Sequence, residues 1–358
     1  MTYRAPVAEI EFLLANVLDF AQLSGTELYS EVTADTARAV LLEIGRLAEE
    51  VLYPLNRTGD QHPARLENGV VRTSPGFREG YRALAQGGWV GINADPEYGG
   101  MGLSLTLLAG LADMAAGANM ALALNPMLTQ GQIEALQNHA SEAIKALYLP
   151  KLISGDWTGT MDLTEPQAGS DVGALRTRAE DSGDGTYSIT GQKLFITWGD
   201  HDVAENICHL VLARLPGAPA GTKGISLFMV PKFLPDADGN PGKANSLRVV
   251  SLEHKMGIHG SPTALMEFDG ATGWMIGAPN SGMAAMFTMM NNARLSVGLQ
   301  GLSLAERAFQ QSLQYAQDRT QGTSIGAEKG TSSPIIEHPH TSVSRRRTHA
   351  TRRRKARR

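Results

Sequence analysis

Apolar positions divide the chain into three regimes. In "TADTARAVLLEIGRLAEEVLYPLN", Ala37, Val40, Leu41, Ile44, Leu47, Ala48 and Val51 recur at spacings of three and four. That spacing places one apolar stripe on a helix. Thr33 is placed to cap its start, and Pro54 to close it. "GGWVGINADPEYGGMG" is glycine-rich and irregular, and "LTLLAGLADMAAGANMALAL" reads as a buried helix. "SEAIKALYLPKLISGDW" predicts another helix, capped by Ser141 and broken at Pro150.

After Trp157 the period changes. "GTYSITGQKLFIT", "ICHLVLAR", "GISLFMV" and "TALMEF" are short β-rich runs between turn signals, with "PDADGNPGKAN" as a loop. Residues 157–280 therefore predict an antiparallel β domain. From Met286 the helical period returns. Met290, Val297, Gly301, Leu304, Ala308 and Tyr315 share one face of a long helix, and Gly298, Gly301 and Ser303 leave room for a close neighbour. "DRTQGTSIGAEKG" ends it. One helix cannot bury its apolar face alone, so this segment predicts the start of a helical bundle. No internal repeat is visible.

Composition narrows the function classes. The 358 residues carry a formal charge of -4. Nine Lys or Arg fall between Arg345 and Arg358, which leaves 23 bases against 36 acids elsewhere. The body is acidic and a poor general binder of phosphate backbones. The basic segment has no aromatic residue to stack on bases, so specific nucleic-acid recognition is not expected. Cys208 is the single cysteine, which excludes an intramolecular disulfide and suits a reducing compartment. It sits in an apolar run and reads as a buried strand residue. The N-terminus lacks the basic region of a signal peptide, and no apolar stretch reaches the ~18 residues a bilayer span needs. The expected location is the cytoplasm, and no metal site is expected.

Two stretches carry candidate chemistry. "MDLTEPQAGSDVG", residues 161–173, lies where helices give way to strands. A turn of Gly, Ala and Ser exposes backbone N–H groups that bind a diphosphate without adding charge. Thr164 and Ser170 add hydroxyls, whereas Glu165 and Asp171 would repel phosphate and are expected to point outward and fix the loop. An ordinary polar loop is the competing reading. In "GQKLFITWGDHD", Phe195 offers a flat ring and Thr197 a hydroxyl on the same side of a strand, as a flavin ring requires. A core Phe beside a surface Thr is the plain alternative.

Together, the T-E-P-x-A-G-S-D loop and the later F-I-T resemble the acyl-CoA dehydrogenase flavoprotein family. "PEYGGMGL" and "SLEHKMGIHGSPTALMEF" are similar to further segments of that family, so the resemblance runs over residues 40–338. "YRAPVAEIEFLL", "GISLFMVPKFLPDADG" and "MFTMMNNARLSVGLQGL" resemble its long-subunit branch, typified by bacterial 3-methylmercaptopropionyl-CoA dehydrogenases.

The resemblance implies an α+β fold. An N-terminal extension (1–36) would precede an N-terminal helical domain (37–156) and a middle antiparallel β-barrel-like domain (157–280). An incomplete C-terminal helical bundle (281–339) would follow. FAD would lie between the β domain and the bundle. Met161, Leu163, Thr164, Gly169 and Ser170 would line the flavin and pyrophosphate. Phe195, Ile196 and Thr197 would cover the flavin, Thr197 reaching toward N5. Ser170, Asn291 and Arg294 would meet the acyl-CoA substrate, and Arg319 the FAD of a neighbouring subunit, with a spacing one residue shorter than in many relatives. An electron-transfer flavoprotein would accept electrons from a homo-oligomer acting in fatty acid metabolism.

The implied chemistry is α,β-dehydrogenation of an acyl-CoA thioester, which needs a positioned carboxylate base. The family places that Glu in a Y-E-G-T type segment or just before the equivalent of Arg294. The sequence contains no such segment, and Ala293 precedes Arg294. The family pattern ends near Pro339. Residues 340–358 then show the Arg, Thr, His and Ala bias of an out-of-frame reading. The expectation is a truncated or frameshifted, inactive member of an FAD-dependent acyl-CoA dehydrogenase family, with a non-catalytic FAD- or acyl-CoA-binding remnant and a nucleic-acid-associated protein acting through the basic segment as the alternatives.

Overall fold

The structure, a computed structural model, describes residues 2–325, 328 and 330–338. The basic segment 340–358 lies outside the described residues. The helical N-terminal part comprises α1 (Val7–Asn16), α2 (Phe20–Ser24), α3 (Ala34–Leu47), α4 (Tyr53–Gln61) and α5 (Phe77–Gln86), then the long α6 (Leu105–His139) and α7 (Glu142–Ser154), with a small hairpin of β1 (Arg65–Glu67) and β2 (Val70–Arg72). Thr33 caps α3 as its sequence position requires, accepting the Thr36 N–H at 3.1 Å.

Two prolines do not end their helices. The chain passes Pro54 through a π-helical turn, Ala48–Leu52, into α4, where the proline occupies the first turn and lacks only an N–H that has no helical partner. Pro150 lies inside α7, where burial of Tyr148, Leu149, Leu152 and Ile153 outweighs one missing bond. In α6 the backbone departs from helical geometry at Asn119 (φ -152°, ψ 86°). There the side-chain oxygen accepts the Leu122 N–H at 3.1 Å and the amide donates to the Leu52 carbonyl at 3.2 Å, so Asn119 caps the second half of α6 and closes the π turn. Helix α6 is long and apolar enough to cross a membrane, contrary to the expectation that no stretch would be, and 67% of its most apolar window is buried inside this fold.

The β domain is built from β3 (Trp157–Asp162), β4 (Arg178–Asp181), β5 (Tyr187–Thr197), β6 (Asn206–Arg214), β7 (Ile225–Pro231), β8 (Phe233–Pro235), β9 (Pro241–Ala244), β10 (Leu247–Leu252) and β11 (Thr263–Ile276). Pairing runs β11-β5-β4-β6, and β7 joins β6 back to β11, which closes a ring with β3 and β10 on its flanks. The sheet is mixed rather than wholly antiparallel. Strand β3 runs parallel to β6, because the chain leaves β3 through a long loop and returns through the β4–β5 hairpin before β6 begins. Cys208 is fully buried in β6, and burial pushes its thiol well above the ordinary range. The segment from 236 to 240 is the turn between β8 and β9.

Helix α6 lies against β3. Gln132 presses on Gly159, where there is no room for a Cβ, and the Gly159 N–H donates to Thr129 Oγ1 at 3.0 Å. The last helix, α8 (Gly282–Asp318), packs antiparallel along α6. Past its first turns, where Met286 and Met289 are buried, its contact face is largely polar: Asn292 to Glu134 at 2.8 Å, Gln300 to Met127 Sδ at 3.2 Å, and Ser303 to Asp113 at 2.6 Å. Gln310 further along brackets the Arg4 backbone. Of the apolar face read from sequence, Met290 packs against the core, but Val297, Leu304, Ala308 and Tyr315 are exposed and Gly298 and Gly301 open to space. A continuous exposed apolar stripe promotes association. Replacing Val297 and Leu304 together by Lys is expected to reduce concentration-dependent scattering while changing stability by no more than ~0.5 kcal/mol per site. Unchanged scattering would remove this face as the cause.

Candidate functional site

Strand β3 delivers Met161 and Asp162, and the chain then turns sharply. Glu165 and Ala168 exchange backbone hydrogen bonds at 2.9 and 3.0 Å. The Glu165 side chain turns into the protein and is nearly inaccessible. Its carboxylate accepts from Gln167 Nε2 at 2.6 Å, Arg176 N at 2.7 Å, Thr177 N at 3.0 Å, Thr177 Oγ1 at 2.6 Å and Lys193 Nζ at 2.9 Å. The expected loop-fixing role is therefore real, but it is exercised from inside the protein, and only Asp171 is exposed. Lys193, fully buried on β5, also donates to the Leu163 carbonyl at 3.0 Å, and the Leu194 N–H donates to Thr164 O at 2.8 Å. These bonds stitch the loop to the strand that bears Phe195.

Burial is the largest influence on Glu165 and opposes its ionisation, yet Lys193, Thr177 and the Arg176 N–H outweigh it and bring the carboxyl down to about 2. Burial likewise depresses Lys193, against the raising effect of Glu165 and, more weakly, Asp162. The low value keeps Glu165 ionised at neutral pH.

Along β5 the simple alternation fails at the residues of interest. The β5–β11 register slips between Ala264, opposite Ile196, and Met266, opposite Lys193. Within this bulge Phe195 takes φ +62°, and Trp198 follows at φ +56°. Left-handed geometry at a bulky residue is strained and concentrates at functional positions. Phe195 is 57% exposed, an unusual place for a phenyl ring, while Thr197 is half-buried. Ile196 packs inside the barrel, so its side chain is not available to a ligand, contrary to expectation, and only its backbone is. Trp198 is buried, stacked on Phe77 with its indole N–H on the Ala121 carbonyl at 3.1 Å, and locks the end of β5 to the helical part.

Met161 and Thr164 are half-buried, Leu163 is buried, and Gly169 and Ser170 are exposed on the loop rim. The backbone N–H groups of Gly169 and Ser170 have no hydrogen-bond partner among the described residues. On α8, Asn291 and Arg294 are brought together at 3.0 Å, with the guanidinium over Phe287 at 5.2 Å. Arg319 is exposed at the far end of α8, roughly 37 Å along the helix axis from Arg294. No cluster of three or more metal-ligating side chains occurs among the described residues. Lys193 was not singled out from sequence, because a lysine two residues before an exposed Phe matches a solvated strand face, and only the bulge buries it.

The Glu165 shift generates a sign-specific prediction. A carboxyl held at about 2, against an ordinary 4.5, contributes stability above the ordinary value and loses it as pH falls toward 2. The shift corresponds to roughly 3 kcal/mol. Glu165→Gln is expected to lower stability at pH 7 by a few kcal/mol and to flatten the dependence between pH 5 and 2, read by urea unfolding. A variant with the wild-type slope would contradict the ionic pair.

Comparison with known proteins identifies the domains. Residues 36–156 match the acyl-CoA dehydrogenase N-terminal domain, 160–271 the middle domain and 280–340 the C-terminal domain. The 3-methylmercaptopropionyl-CoA dehydrogenase of Ruegeria pomeroyi is 48% identical over 339 residues, covering 95% of this chain and 58% of that protein. A butyryl-CoA dehydrogenase of Syntrophomonas wolfei is 37% identical, covering 94% and 57%. The chain thus spans less than two thirds of the length of these relatives. In fold, butyryl-CoA dehydrogenase from Megasphaera elsdenii superposes with a TM-score of 0.69 at 23% identity, over 89% of this chain and 74% of that one. A chain from a structure of the electron transferring flavoprotein of Acidaminococcus fermentans superposes equally well, TM-score 0.69 at 24% identity, over 86% and 72%. With consecutive domain matches along most of its length and a helical–β–helical architecture in the same order, this chain belongs to the acyl-CoA dehydrogenase family.

Proposed function

We propose that these residues form the FAD- and acyl-CoA-binding part of an acyl-CoA dehydrogenase. The observation that carries the reading is Phe195: an exposed ring on strained backbone, held beside a loop whose one buried acid is neutralised from within. The donor set fits FAD. Gly169 and Ser170 offer free N–H groups for a diphosphate, with Glu165 turned inward and Asp171 the one exposed acid of the loop. FAD, when bound, supplies the hydride acceptor for α,β-dehydrogenation.

The chain's own residues bind, orient and exclude water. Phe195 covers one face of the ring, and the Thr197 and Thr164 hydroxyls are hydrogen-bonding partners for its polar edge. Leu163 and Met161 close the protein side. Arg294, splayed by Asn291 on an exposed face, is free to pair with phosphate groups of the coenzyme A moiety. Arg319, far from that cluster on the same helix, is suited to a cofactor held by a second subunit, which supports a homo-oligomer. An electron-transfer flavoprotein is the electron acceptor this reading implies.

Proton abstraction needs a carboxylate, and Ala293 stands at one family position for it while no Y-E-G-T segment occurs in the sequence. The described residues therefore bind without supplying the base. Purified protein is expected to carry about one FAD per chain and to reduce an electron-transfer dye with acyl-CoA only at background rate. Gly169→Asp, which puts a carboxylate on the rim, is expected to weaken FAD binding at least tenfold, measured by equilibrium dialysis. Colourless wild-type protein, or unaltered affinity in the variant, would overturn the binding reading. Robust dye reduction would overturn the assignment of no base.

A further inference from the structure

Behind the loop lies a buried polar cluster that the binding reading leaves unused. Thr160, Asp162 and His209 are all fully inaccessible. Thr160 Oγ1 donates to Asp162 Oδ1 at 2.6 Å and lies 2.8 Å from His209 Nδ1, which is also 3.3 Å from Asp162 Oδ2. Asp162 Oδ2 and His209 Nε2 are both buried without a hydrogen-bond partner among the described residues, and the imidazole ring makes a T-shaped contact with Phe268 at 5.8 Å. Register pairs Thr160 with His209, so the cluster is built into the β3–β6 ladder.

A buried carboxylate is costly unless something requires it. Its partner on the ladder is the apolar Val211, and the His209 ring beside it packs on Phe268. The other buried charges close by are Lys193 and Glu165, and they are paired with each other. Asp162 is thus the buried acid with no lysine or arginine partner, its nearest base being the His209 imidazole. Strand alternation turns Asp162 into the barrel and its neighbours Met161 and Leu163 to the opposite face, the face assigned above to the flavin.

We propose that Asp162, held by Thr160 and His209, is a positioning residue that sets the electron affinity of the flavin bound across β3. This rests on the FAD-binding reading. A negative charge fixed under the ring, in a region without solvent to screen it, disfavours the added electrons of the reduced cofactor and lowers its midpoint potential. Thr160 and His209 hold the carboxylate in place and spread part of its charge.

The test uses FAD-loaded protein and measures the midpoint potential by equilibration with a redox indicator dye. Asp162→Asn, which preserves shape, is expected to shift the potential to a more positive value. Thr160→Val, which removes one donor to the carboxylate, is expected to shift it to a more negative value. A structural role alone would lower the melting temperature of both variants and leave both potentials at wild type, which would overturn the proposal. If Asp162→Asn does not fold, Thr160→Val decides by itself: a negative shift supports the proposal and an unmoved potential overturns it. Wild-type protein without flavin would remove the binding reading, and this proposal with it, whereas flavin retained at unmoved potentials removes only the proposal.

Discussion

One buried ion pair organises this molecule's candidate site. Lys193 and Glu165 belong to different segments, 28 residues apart with β4 between them, and each satisfies groups beyond its partner. Glu165 gathers five donors, and Lys193 adds a bond to the Leu163 carbonyl. Removing either partner would strand a charge in a region without water, at a cost of roughly 3–5 kcal/mol. The loop and the strand therefore hold one geometry together.

That constraint accounts for the strain next to it. Lys193 must point inward to reach Glu165, and strict alternation would then also turn Phe195 inward. The bulge between the partners of Ala264 and Met266 frees Phe195 to face solvent while Ile196 still fills the barrel. Trp198, itself at φ +56°, is anchored on Ala121 and Phe77. Strain in the strand, an exposed ring and an inward acid are three results of one packing problem. The same inward turn takes the Glu165 carboxylate off the loop rim and leaves Asp171 as the exposed acid beside the free N–H groups.

Much of this was legible in the sequence where the signal is local. The Thr33 cap, the stripe on α3, the buried Cys208 strand and the glycine-rich loop all follow from near neighbours. Pro54 and Pro150 misled because helix stop signals are local, whereas the π turn closed by Asn119 and the packing of Tyr148 and Leu152 are tertiary. The parallel β3–β6 pair was hidden for the same reason, since pairing partners lie about fifty residues apart. The apolar face of α8 was read correctly as a face, but its partner was not visible: polar contacts to Asp113, Glu134 and Met127 turned that face outward. Lys193 and Asp162 were illegible because a charged residue in an alternating strand normally marks the wet side.

The account stands on the claim that the Lys193–Glu165 pair builds the cofactor cradle. The most direct measurement is FAD affinity of Lys193→Met and wild-type protein by equilibrium dialysis, at a temperature where circular dichroism shows both folded. The account predicts about one tightly held FAD per wild-type chain and a loss of at least tenfold in the variant. Equal affinity in a folded variant would show that the cradle does not depend on the pair.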